Sequence, residues 1–155
     1  MSPLEPPVHI QQEVIGYCLP ACAQMALAQL GVASTQTQLA QIMGTRIGVG
    51  TPFSRVERLV QWNILVQLTR PASIDDLVMS LAAARAVIVA VTTTPGLPGW
   101  GNIRTQHTVL VTHIDADRIA YHDPALAHGP VSTLLTEFLL AWGEMDERAA
   151  FLSRD

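Results

Sequence analysis

The sequence predicts an α+β domain, with helices in its N-terminal half and an antiparallel sheet in its C-terminal half. Three observations carry this. Apolar residues recur at helical spacing between capping residues up to about Arg85. From Ala86 the pattern changes to β-branched runs joined by turn residues. The chain has 155 residues, 49% of them hydrophobic and 14% charged, which suits one folded domain over residues 1–155.

Residues 1–11 read as an extended lead-in, because Pro3, Pro6 and Pro7 oppose helix. The first helix spans Cys18 to Leu30, with Pro20 in its first turn and Gly31 as its stop. Ala21, Met25, Leu27 and Ala28 form its expected apolar stripe. Ser34 or Thr35 caps a second helix that carries Leu39, Ile42 and Met43 and ends at Gly44. A glycine-containing loop to Pro52 leads to a third helix, Ser54 to Trp62, with Val56, Leu59 and Val60 inward. Ile64 to Leu68 forms a short strand, and Ser73 caps a fourth helix to about Arg85. Asp75 and Asp76 lie in its first turn, where the helix dipole favours acids.

Ala86 to Thr94 is a continuous apolar run, hence a buried strand. Pro95 to Arg104 is a loop carrying Trp100. His107 to Ile114 and Arg118 to His122 form a hairpin around Asp115-Ala116-Asp117. Ser132 or Thr133 opens an amphipathic helix to Trp142, and Ala149 to Leu152 forms an edge strand.

Net charge is −4, with nine arginines, no lysine and no basic run, so no nucleic-acid partner is expected. No run reaches the length of a membrane helix, and Glu5 and the prolines do not suit a signal peptide. A cytoplasmic location follows as the expectation, with reduced thiols and no disulfide framework.

Cys18 stands at a helix N-terminus, where unpaired N–H groups and the dipole favour thiolate. Gln12 precedes it by six residues, and His107 and Asp123 follow far downstream. A nucleophilic thiol needs a base, a group to orient the base and donors for the oxyanion. If Ile114 and Arg118 close a three-residue loop, partner numbers in the hairpin sum to 232. Asp123 then faces Val109, a diagonal neighbour of His107 on the same sheet face. A two-residue loop places the pair on opposite faces.

Each residue also has a plainer reading: Cys18 and Cys22 as buried packing, His107 with Asp123 as a structural hydrogen bond, Gln12 as surface. A zinc site from Cys18, Cys22, His107 and His113 is a further alternative, with weak spacing. His9, His122 and His128 show no pattern.

Together, Gln12, Cys18-Leu19-Pro20-Ala21-Cys22, His107-Thr108-Val109-Leu110-Val111 and Tyr121-His122-Asp123-Pro124 resemble the bacteriocin-processing (double-glycine leader) cysteine peptidases of the papain-like superfamily. The resemblance runs from Gln12 to about Trp142. It implies a papain-like fold, with Cys18 as nucleophile, His107 as general base and acid, Asp123 as orienting carboxylate and Gln12 as oxyanion donor. It further implies a peptide or protein substrate, no cofactor and no metal. Family members are commonly domains of peptide-exporting transporters, whereas a stand-alone peptidase is expected here. Leu19 occupies the family's usual glycine position and is expected to narrow the cleft or alter the approach to the oxyanion hole. Acyl or peptidyl transfer, amidase activity, and peptide binding without turnover are the alternatives.

Overall fold

A computed structural model describes residues 7–154, and residues 1–6 of the lead-in lie outside it. The elements follow in the order α1 (Cys18–Gln29), α2 (Gln36–Met43), a 3₁₀ helix (Phe53–Trp62), β1 (Ile64–Thr69), α3 (Ile74–Ala82), β2 (Ala86–Thr92), β3 (Gln106–Ile114), β4 (Arg118–His122), β5 (Val131–Leu134), α4 (Leu135–Gly143) and β6 (Ala149–Arg154). One six-stranded sheet has the order β1-β6-β2-β3-β4-β5, with antiparallel pairing throughout.

The sheet separates two apolar layers. On one side Ile88, Ala90 and Leu110 pack under α1, α2 and the 3₁₀ helix. On the other, Val87, Val89, Val91, Val109 and Val111 meet Leu77 of α3 and Phe138, Ala141 and Trp142 of α4. Strand β2 is therefore buried on both faces, which is why it reads as an unbroken apolar run.

Helix α1 lies inside the molecule. Leu19 to Ala23 and Met25 to Leu27 are all buried, so its apolar surface is a wide wrap rather than the expected stripe, and Ala28 lies outside it. Thr35 and Ser73 cap α2 and α3 as expected, each through a capping box, with Gln38 and Asp76 as the reciprocal partners. Helix α3 ends at Ala82, three residues before its predicted end.

The third predicted helix forms as a 3₁₀ helix. Its buried residues, Phe53, Val56 and Leu59, recur every three positions, which matches three residues per turn. Val60 falls off that row and is 52% exposed, against expectation.

Two C-terminal expectations change. Ser132 and Thr133 lie in strand β5, and the helix starts at Leu135. Both candidate caps are used elsewhere: the Arg118 guanidinium donates to Ser132 Oγ, and Thr133 Oγ1 donates to the Gly96 carbonyl at 2.7 Å. Strand β6 is interior, paired with β1 and β2, while β1 and β5 form the edges. Ala149 to Leu152 are buried accordingly.

The lead-in takes no regular structure from Pro7 to Gln12 and is tied down by side chains. His9 Nε2 donates to the Leu126 carbonyl at 2.7 Å, and His122 Nε2 to the Pro7 carbonyl at 3.1 Å. The two Nδ1 atoms face each other at 3.1 Å. The Gln12 N–H donates to the Pro124 carbonyl at 2.7 Å, beside Asp123.

Gly16 joins the lead-in to α1 with φ +96°. A Cβ there would stand 2.9 Å from the Gly48 nitrogen and 3.0 Å from the Arg46 oxygen. The positive φ alone costs an alanine about 1–2 kcal/mol. Gly16→Ala is expected to lower Tm by roughly 2–8 °C, measured by thermal unfolding. An unchanged Tm would show that the junction relaxes freely.

Candidate active site

Cys18 is the first residue of α1, after Tyr17, whose side chain makes no capping bond. The earliest α1 donor is Ala21, bonding the Tyr17 carbonyl at 2.9 Å, so the Cys18 N–H has no helical partner. Cys18 lines a groove of about 470 Å³ together with His107, Thr108, Ala90, Gln106, the segment from Val49 to Ser54, Met145 and Arg148.

His107 and Asp123 meet. His107 Nε2 donates to Asp123 Oδ1 at 2.6 Å, and both residues are buried. The predicted reach is correct, but its premise needs correction. At the hairpin tip Asp115 N–H donates to the Arg118 carbonyl at 3.0 Å, around a two-residue Ala116-Asp117 turn. Asp115 Oδ1 accepts from the N–H groups of Asp117 and Arg118, which stabilises this tight turn. The adjacent pairs His113–Ala120 and Ile114–Ile119 consequently sum to 233. A bulge at Thr112, between Val111 and His113, restores 232 at Val111–Tyr121 and Leu110–His122. The bulge returns Asp123 to the side of the strand pair that His107 occupies.

Asp123 is held by three donors. Oδ1 also accepts from the Ala125 N–H at 2.9 Å, and Oδ2 accepts from Trp100 Nε1 at 2.8 Å. The Trp100 ring lies edge-on to His107, with centroids 4.8 Å apart. Burial pushes the Asp123 carboxyl up, but His107 and the other donors outweigh it and hold the pKa below its ordinary value.

The His107 Nε2–Asp123 bond leaves Nδ1 for the thiol. Burial opposes charge on the Cys18 thiol, yet the hydrogen-bonding and charge influence of His107, aided by Thr108, brings its pKa below the ordinary value. His107 is shifted the other way. Burial lowers its pKa, while hydrogen bonding to Asp123 and Cys18, with their charges, raises it to about 9. The couple favours thiolate with imidazolium, one proton shared between two groups.

Cys22 differs. It is fully buried, and burial first, then the nearby Cys18 charge, pushes its pKa well up. This is a packing cysteine. Among the described residues, no group of three or more His, Cys, Asp or Glu is placed to hold a metal, so the four proposed zinc ligands do not converge.

Gln12 comes close to Asp123 through its backbone bond to Pro124. Its Oε1 is buried without a partner, and no side-chain hydrogen bond engages the amide. Leu19 is fully buried in the core beneath α1, so it does not narrow the groove as expected. The sequence places Trp100 only in the loop Pro95 to Arg104. The structure makes it the partner of Asp123, and an aromatic in a glycine–proline loop was the only signal. Thr108, adjacent to His107, passed without notice. The His9–His122 contact joins residues 113 apart in sequence, and no local pattern announces it.

A helix-borne thiol facing a sheet-borne imidazole and carboxylate across a groove defines the papain-like class. The chain belongs to the Peptidase_C39 like family, which matches residues 6–150. No curated protein matches it in sequence. Among solved structures it is similar to a C39-like peptidase from Bacillus anthracis, at 16% identity and TM-score 0.75, covering 100% of this chain and 99% of that one. It is also similar to the peptidase domain of Streptococcus ComA, a bi-functional ABC transporter involved in a quorum-sensing pathway. There the identity is 18% and the TM-score 0.74, covering 96% of this chain and 98% of that domain.

Proposed function

We propose that the protein is a cysteine peptidase in which Cys18, His107 and Asp123 form the catalytic triad. The observation that carries the reading is the 2.6 Å bond from His107 Nε2 to Asp123 Oδ1, with Nδ1 left for a thiol of lowered pKa. The Cys18 thiolate attacks the peptide carbonyl carbon. The carbonyl oxygen becomes an oxyanion, received by the unpaired Cys18 N–H and the Gln12 side-chain amide. Gln12 donates without titrating and leaves the thiolate its charge. Collapse of the intermediate breaks the C–N bond, and His107 gives its proton to the departing amine. Water, deprotonated by His107, then attacks the thioester and releases the acid and the free thiol.

Family membership and the fold of the ComA peptidase domain favour a leader peptide as substrate, cut after a double glycine. Gly50, without a side chain, lies in the groove wall and leaves room beside the cleaved bond. The buried position of Leu19 removes the motive for a binding module without turnover.

Iodoacetamide at mildly acidic pH tests the reading. Cys18 is expected to label far faster than a model thiol, because hydrogen bonding to His107 and its charge lower the thiol pKa against the effect of burial. Labelling at the model-thiol rate, together with no cleavage of double-glycine peptides, would overturn it. Addition of free amines separates hydrolysis from acyl transfer: aminolysis exceeding hydrolysis would assign a transferase.

A further inference from the structure

The geometry points to Arg148 as a carboxylate-binding subsite of the groove, which selects peptides with an acidic group two to three residues from the cleaved bond. The inference rests on the peptidase reading and names its substrate class.

Arg148 has a rigid base. Its N–H donates to the Met145 carbonyl at 3.3 Å, while its own carbonyl accepts from the Ala90 N–H at 3.2 Å and from Trp142 Nε1 at 2.9 Å. Among the described residues its side chain makes no hydrogen bond. Nε is buried with no hydrogen-bond partner, and among the described residues no carboxylate lies within ion-pair distance of the guanidinium. Arg70 and Arg104 do have acids, Asp146 at 2.7 Å and Glu144 at 3.0 Å, but neither of these arginines lines the groove with Cys18.

A buried N–H without an acceptor is costly, and the cost is recovered when an acceptor arrives. No acid lines the groove, so the acceptor must come with the ligand. The guanidinium is always charged, and its Nη groups are the donors a carboxylate in the groove would meet. The apolar neighbours Phe53, Ala90 and Met145 lower the local polarity around that pairing.

Sheet spacing supplies the position. Arg148 bonds to Ala90, and Ala90 pairs with Thr108, the neighbour of the Cys18 thiol. Two strand spacings are roughly 10 Å, and an extended peptide advances about 3.3 Å per residue. The carboxylate therefore belongs two or three residues from the scissile bond.

Two peptide libraries test this, each capped at both ends, with a single Glu or a single Gln scanned through every position and the products read by mass spectrometry. Glu at one of the two expected positions should raise kcat/KM about tenfold or more over Gln. Arg148→Gln should abolish that preference while cleavage of the Gln peptides persists. Arg148→Glu should transfer the preference to Lys, which a merely unfolded variant cannot do. A matched library with free C-termini distinguishes the source. Preference for the free acid over the amide, lost in Arg148→Gln, assigns the site to a terminal carboxylate. Equal cleavage of Glu and Gln peptides by the unaltered protein, with no gain from a free terminus, would overturn the inference and leave the peptidase reading intact. If no peptide is cleaved, anisotropy binding of the same peptides to Cys18→Ala decides. A Glu-to-Gln affinity ratio near one refutes the subsite, and a ratio of about ten that shrinks with salt supports it.

Discussion

Replacing Cys18 with alanine is expected to lower kcat/KM for peptide cleavage by about a million-fold, to the background set by binding and oxyanion stabilisation alone. The size follows from the role. Every bond change in the proposed reaction passes through that sulfur, whereas the fold gains little from it. Cys18 is only partly buried, so its loss should leave Tm nearly unchanged. Iodoacetamide labelling should vanish with it, because Cys22 is fully buried with a raised pKa. His107→Ala is the companion variant. The thiol remains but loses the proton acceptor that keeps it ionised, so labelling at mildly acidic pH should fall to the rate of a model thiol. Persistent cleavage in Cys18→Ala would assign the chemistry to another group.

The second large effect is expected at Asp123. Asp123→Asn keeps the shape but removes the charge, with a loss in kcat/KM of roughly 10²–10⁴-fold. Its signature is the pH profile. In the unaltered protein the reactive form is thiolate with imidazolium. It appears as pH rises through the lowered pKa of Cys18 and is lost as pH rises through the His107 value of about 9. A plateau between the two limbs follows. Without the Asp123 charge the His107 pKa falls, so the basic limb moves to lower pH. The thiolate then has a weaker cation beside it, so the acid limb moves to higher pH. The profile narrows from both sides. Trp100→Phe removes one donor from Oδ2 but leaves the charge, so it should cost about tenfold in kcat/KM without the narrowing expected of Asp123→Asn. An Asp123→Asn profile with unshifted limbs would reduce the carboxylate to a structural acceptor.

Much of the site was legible because its signals are local. A thiol in a proline-bearing first turn, a β-branched strand opening on His107 and an Asp-Pro step after the next strand need only short windows of sequence. The cap at Ser73, and that at Ser34 or Thr35, were legible for the same reason: acceptor and donor lie three residues apart. Misreadings arose where distant partners decided. Ser132 and Thr133 have cap chemistry, but pairing with β4 and the Gly96 carbonyl claims them for a strand. A six-residue strand near the chain end reads as an edge, and only assembly of the sheet places β6 between β1 and β2.

By itself the sequence determined the α+β class, the helix that carries Cys18, the hairpin that carries His107 and Asp123, and the family. Periodicity, caps and residue order are written in adjacent residues, and local backbone energetics suffice to read them. Tertiary structure alone decided the Thr112 bulge that sets the parity of the hairpin, the Trp100 bond that holds Asp123, the seat of Leu19 in the core and the free guanidinium of Arg148. Each of these depends on which atoms meet across the sheet, and distances between remote residues exist only once the chain has packed.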